Sequence, residues 1–152
     1  KAGYQTTILA VLRQAHYVAN ARLWAEKLHA YLTEQITQRM ELSPPEYTLE
    51  FRLIGVDAAL GKLETKQGTP SEVGVLGIVT AQSQALATEI GKLINPFVLH
   101  YPLTEDEELP TFAFPYSPAT TERGPLYEFA LNHIMALDDP MEAFRLTVSE
   151  VQ

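Results

Sequence analysis

The chain of 152 residues contains no cysteine. That absence removes disulfides, thiolate catalysis, zinc ribbons and iron–sulfur clusters, and it fits a reducing cytoplasm, the compartment expected here. Basic side chains are also scarce: 11 Lys and Arg against 19 Asp and Glu leave a formal net charge of −8. Binding of nucleic acid depends on clustered cations, and the longest charged run, Glu105-Asp106-Glu107-Glu108, is acidic. No nucleic acid partner is therefore expected. Long apolar runs are missing too. Nothing approaches the ~20 residues that cross a bilayer, so no membrane partner is expected. The motifs GxGxxG, GxSxG and HExxH and the Walker loop are all absent, which removes the enzyme classes that such motifs identify. No cofactor is expected either.

What is present is ample core material, 46% hydrophobic residues with 9% aromatic. A chain of this length suits one compact domain covering residues 1–152, burying roughly two-thirds of its unfolded surface. The start, Lys1-Ala2-Gly3-Tyr4, has neither an initiator Met nor a signal-peptide pattern. It reads as a chain entered partway, so a missing N-terminal portion of the same protein is the first expected partner.

Val18, Ala21, Ala25, Leu28, Leu32 and Ile36 recur at steps of three and four, which predicts a helix from about Gln14 to Arg39. Tyr17, Trp24 and Tyr31 widen its apolar stripe. Tyr4 to Leu12 is expected to be a separate, extended segment, because one helix through both would overhang the domain. Ser43-Pro44-Pro45 ends the helix. Glu46 to Val56 alternates as a half-buried strand, Lys62 to Ser71 is a loop or weak edge strand, and Val73 to Ala81 is a β-branched central strand. Ser83 caps a second helix with Leu86, Ile90, Leu93 and Phe97 as its stripe; Asn95-Pro96 stops or kinks it. Short strands are expected at Val98 to Pro102 and Thr111 to Tyr116, with a loop at Ser117 to Pro125. Leu126 to Asp138 fits a strand or a helix, with its Tyr, Phe and Ile content favouring the strand. A one-turn helix at Asp139 to Phe144 and a strand at Leu146 to Val151 complete the chain. The expected class is α+β: two layers, a mostly antiparallel or mixed sheet, with one long and one shorter helix on one face.

The four histidines do not form a metal site by spacing. His16 and His29, 13 residues apart on one helix, point roughly 140° apart. No metal is expected. Asp57 follows a strong strand, where sites often place an acid, although an Asp there also turns the backbone by local hydrogen bonds. In Asn132-His133, the histidine is a candidate general base, or else a satisfied core group. Ser117, Thr120, Thr121 and Arg123 crowd one short segment. Hydroxyls and a guanidinium could hold a carboxylate or phosphate; the alternative is a proline-pinned connector with a surface Arg123–Glu122 pair. The candidate catalytic residues are thus Asp57 and His133. The candidate ligand-binding residues are Ser117, Thr120, Thr121, Arg123 and Asn132.

Several stretches together resemble the C-terminal part of the acyclic terpene utilisation A family. They are Gly3-Tyr4, the helix segment Ala19-Asn-Ala-Arg-Leu-Trp-Ala-Glu26, the strand Phe51-Arg-Leu-Ile-Gly-Val-Asp57 with Gly61, and the tail Arg123-Gly-Pro-Leu-Tyr-Glu-Phe-Ala-Leu-Asn-His133 with Asp139-Pro-Met-Glu142. Members are larger bacterial proteins associated with breakdown of citronellol and geraniol through acyl-CoA intermediates. The resemblance implies that pathway context and a larger whole; it supplies no catalytic residue. Two functions are open. One is an enzyme portion in branched acyl or acyl-CoA catabolism, with an acyl-CoA or carboxylate ligand near Arg123 and proton transfer by Asp57 or His133. The other is a non-catalytic module that packs on the rest of the protein or associates with itself as a homo-oligomer.

Overall fold

The strand β1, Gly3–Leu12, is the piece around which the others assemble. Thr6, Ile8, Ala10 and Leu12 are buried on one side, and the residues between them stay half-exposed on the other. That period of two commits one face to a core. The computed structural model describes residues 2–65, 68–129, 131, 134–139 and 141–150.

The predicted first helix is present but broken once. It runs as α1, Ala15–Ala19, and α2, Ala21–Met40. Between them Asn20 leaves helical geometry (φ −114°, ψ 22°) and its side chain donates to the His16 carbonyl at 2.9 Å. The stripe keeps its register across the break: Val18, Ala21, Ala25, Leu28, Leu32 and Ile36 are all buried, and Trp24 is 0% exposed. Glu41 stops α2 in the left-handed conformation (φ 58°), just ahead of the two prolines.

Strand β2, Tyr47–Ile54, and strand β3, Val73–Ala81, follow as expected. The segment between them includes a 3₁₀ turn at Gly61–Leu63. Helix α3, Gln84–His100, is capped by Ser83, whose hydroxyl accepts from the Leu86 amide at 3.2 Å. The helix runs through Asn95-Pro96 instead of stopping there, so the strand expected at Val98 to Pro102 does not form. Proline removes one backbone bond, but Val98 is fully buried and Phe97 packs on the core beside it. Packing at the helix end outweighs the lost bond.

Two further expectations are corrected in the C-terminal third. Ser117 to Pro125 is not one loop: Thr120–Leu126 forms strand β4, antiparallel to β1 from Gly3↔Leu126 to Ile8↔Thr120. The register slips between Gln5 and Thr6, opposite Arg123, which is the bulge residue, and Gly124 beside it takes φ 78°. Hydroxyls, glycine and proline read as a turn locally, but the free edge of β1 offers ladder bonds that only the assembled sheet supplies, and Pro125 is tolerated on an edge strand. The strand expected at Thr111 to Tyr116 is reduced to one bridge, Ala113 to Val11.

The described residues after Leu126 adopt neither of the structures expected for Leu126 to Asp138. Only a short turn appears, with the Glu142 amide on the Asp139 carbonyl and the Phe144 amide on the Met141 carbonyl, both at 3.0 Å. Among residues 146–150 there is no strand. A lone alternating segment has nothing to pair with until a second surface is present.

The sheet order is β2-β3-β1-β4, antiparallel throughout, with the helices on one face. This βαββαβ arrangement is the ferredoxin-like, split-βαβ topology, a two-layer α+β domain. The opposite face carries Leu9, Val11, Leu76 and Ile78, all half-exposed, and Ile54, 47% exposed.

Candidate functional site

A concavity opens where the α1–α2 break meets the loop after β2. It has a volume of about 980 Å³ and is lined by residues 18–23, 54–59, Glu64 and 68–70. That is large enough for a drug-sized ligand. Asp57 sits on its wall, with Oδ2 3.2 Å from Arg22 Nη2. The turn here is made by main-chain bonds, while the Asp57 carboxylate faces Arg22. The Leu53 carbonyl accepts the amides of Val56, Asp57 and Ala58, and the Asp57 carbonyl accepts the Gly61 amide at 2.7 Å. Arg22 is 59% exposed in its side chain, so the ion pair itself adds little stability. Its chemical offer is a guanidinium fork, paired on one side with Asp57, in a cleft whose lining mixes Asn20, Glu64 and Thr69 with aliphatic residues. Arg22 and Asp57 lie on different elements, and only the tertiary fold pairs them.

The other candidates lie elsewhere. β2 and β4 are the two outer strands, so Asp57, after β2, and Arg123, in β4, sit at opposite edges of the sheet. Arg123 and Ser117 are exposed, and Thr120 and Thr121 are half-buried within β4. Asn132 and His133 lie outside the described residues. The structure does not bring Asp57 and Arg123 together.

The polar residues around β4 are used to dock α3. Buried Thr6 (1% exposed) meets Gln84 Nε2 at 2.9 Å and the Thr88 hydroxyl at 3.3 Å. Thr88 donates to Glu122 Oε1 at 2.8 Å, and the Gly124 amide donates to Gln84 Oε1 at 3.1 Å. Glu122 is therefore engaged by Thr88, and the surface pair with Arg123 weighed from sequence is not the contact observed. Two histidines have structural partners. The His29 ring meets the Leu49 carbonyl at 3.0 Å and the His100 ring the Pro110 carbonyl at 2.8 Å. A carbonyl can only accept, so each ring nitrogen donates.

A second ionisable cluster, also missed in sequence, fastens the segment after α3. Glu107 Oε1 accepts from the Tyr17 hydroxyl at 2.8 Å, from the Thr104 amide at 2.9 Å and from the Leu103 amide. His16 Nε2 stands 3.9 Å from the other carboxylate oxygen. Nearby, Trp24 Nε1 donates to the Tyr101 carbonyl and Lys27 to the Leu103 carbonyl, both at 2.9 Å. Burial and the bond to Glu107 push the Tyr17 phenol up to about 12. The Thr104 amide, with the Tyr17 hydroxyl, the Leu103 amide and the His16 charge, holds the Glu107 carboxyl below its ordinary value against partial desolvation. A depressed carboxylate stabilises the fold above its ordinary pKa and loses that contribution as pH falls through the folded value. Hydrogen exchange at the Leu103 and Thr104 amides should therefore accelerate, beyond its intrinsic pH trend, as pH drops below the usual carboxylate range. In Glu107→Gln the same amides should be less protected at neutral pH and lose that acid dependence.

Among the described residues no group of His, Asp and Glu could hold a metal ion, and no helix is long and apolar enough to cross a membrane. No protein-family model matches the chain, and comparisons with curated proteins and with solved structures found no match.

Proposed function

We propose that this chain is a packing domain of a larger cytoplasmic bacterial protein resembling the acyclic terpene utilisation family, and that it acts by binding protein through its C-terminal segment. One observation carries this reading. Tyr127, Phe129, Leu131, Ile134, Met135, Met141, Phe144, Leu146 and Val148 are each between 57% and 87% exposed. Single exposed apolar residues are ordinary, but a concentration of them along one segment marks an interaction site. The family resemblance supports the wider context of branched acyl or acyl-CoA catabolism.

The Arg22–Asp57 cleft favours a second reading, in which the domain holds an acyl-CoA or carboxylate ligand itself. A thermal-shift screen of the whole chain against coenzyme A, terpenoid acids and their acyl-CoA esters separates the two. The packing reading expects no saturable shift. A ligand at ~100 times its dissociation constant would add about 2.7 kcal/mol and raise the melting temperature visibly. Such a shift, lost on Arg22→Ala, would place the ligand in the cleft and replace the packing reading; loss on Arg123→Ala would place it on β4 with the same consequence.

A further inference from the structure

We infer that β4 is a displaceable strap. It fills, within the chain, a strand-binding site on the edge of β1 that an extended segment of a protein partner takes when β4 opens. The inference goes beyond the packing reading, because it uses none of the apolar residues after Leu126. The hold on β4 is unlike that on its neighbours. β1 buries four residues and β3 five, whereas none of the seven residues of β4 is buried. Among the described residues, the hydrophobic core contains nothing from Thr120 to Leu126, and Leu126 is not one of the half-buried apolar side chains packed against it. The ladder to β1 is interrupted as well, by the slip between Gln5 and Thr6 and by Pro125, which has no amide to donate. Opening β4 therefore withdraws no core side chain. β1 keeps β3 on its other side, so a three-stranded sheet remains under the helices, enough to stay folded. An element with so few buried apolar contacts opens on its own, ahead of global unfolding.

Polar contacts hold β4 in place, and they would serve an incoming strand equally. The Thr88 hydroxyl donates to the Glu122 carboxylate at 2.8 Å. Gln84 grips both strands. Its Nε2 donates to the Gln5 carbonyl at 3.1 Å and to the Thr6 hydroxyl at 2.9 Å, while its Oε1 accepts the Gly124 amide at 3.1 Å. With β4 away, the edge of β1 from Gly3 to Ile8 loses its ladder partner, and a bare edge pairs with an extended chain that reaches it. Helix α3 supplies the selection. The Thr88 hydroxyl selects an acceptor where Glu122 sits, and a carboxylate there makes the stronger, charge-assisted bond. Gln84 selects a backbone N–H two residues on, where Gly124 sits. The occupant is thus an extended segment, antiparallel to β1, with an acidic side chain followed two residues later by any residue but proline. Because β4 is tethered, it competes at an effective concentration on the order of millimolar, which keeps the site closed to weak ligands.

The test uses the full chain and a labelled synthetic peptide of residues 119–126. In native-state hydrogen exchange of the wild type, the amides of β4 should be at least ~100-fold less protected than those of β3, through an opening that denaturant barely changes. Exchange of both strands in one global opening overturns the inference. Gly124→Pro removes the amide that reaches Gln84 and cannot adopt φ 78°. In that variant β4 should detach while the circular dichroism and the protection of β3 persist; general unfolding instead would show that β4 is not separable and overturn the inference. The variant should bind the peptide saturably, and at least ~10-fold more weakly when the peptide carries Glu122→Ala, since the bond lost is to a charged group. Wild type should bind the peptide at least ~10-fold more weakly than Gly124→Pro, because β4 occupies the site. Absence of binding to Gly124→Pro, or equal binding to both chains, overturns the inference. None of these readings depends on the apolar C-terminal residues, so the packing reading fails by a different measurement.

Discussion

Trp24→Ala should destabilise the domain by about 3–5 kcal/mol, the range for emptying a large aromatic site. Trp24 is 0% exposed, and its ring meets Phe112 edge-on, with centroids 5.3 Å apart. Truncation also leaves the Tyr101 carbonyl without the indole N–H that reaches it at 2.9 Å, and an orphaned polar group adds its own penalty. Against a total stability of about 5–15 kcal/mol, this is a large share. The melting temperature should fall by roughly 10–15 °C at this chain length. Urea titration measures the loss directly. Trp24→Phe should lose less, since it keeps an aromatic filler. Leu23→Ala, one residue away on the same helix but 46% exposed, should change stability by well under half as much. Equal losses for Leu23→Ala and Trp24→Ala would refute this account of where the core sits.

Gly77→Val should be the next most damaging substitution, for the opposite reason. A Cβ at Gly77 would lie 2.8 Å from Ile8 Cγ2 and 3.1 Å from Phe51 Cε1, and Ile8 is 1% exposed in the middle of β1. Closely packed interiors do not yield to extra atoms at that distance. Overpacking of this kind costs typically 1–3 kcal/mol, and the central position of β3 leaves little room to relax toward solvent. The better strand propensity of valine works against the loss but is smaller. A double-mutant cycle with Ile8→Ala isolates the clash. Ile8→Ala alone destabilises by leaving a cavity, yet the double mutant should be more stable than the sum of the two single losses. Additive losses would mean that the steric contact is not the cause.

Gly77 also marks how much of the fold could be read before the sheet was seen. Val73 to Ala81 contains two glycines, Gly74 and Gly77, and at Gly77 the close neighbours are Ile8 and Phe51. The strand itself announced the feature, but not the partners. Likewise the stripe shared by α1 and α2 was legible because a period of 3.6 is a property of the chain alone, and all six of its predicted positions, from Val18 to Ile36, are buried. Ser83 was legible as a cap for the same reason: its bond closes within three residues.

The misreadings share one feature. β4 looks like a loop by its own composition, and becomes a strand because β1 has an unpaired edge beside it. Helix α3 looks stopped or kinked at Pro96, and continues because Val98 has a core to enter. Arg22 and Asp57 are 35 positions apart, and Tyr17 and Glu107 are 90 apart; no local pattern links either pair. Cysteine content, charge, the alternating strands and the amphipathic helices were determined by the sequence alone, since each depends on residue chemistry or short-range periodicity. Edge pairing, the Arg22–Asp57 cleft and the Glu107 anchor were decided by the tertiary structure, because each joins groups whose proximity exists only after the long loops between them have closed.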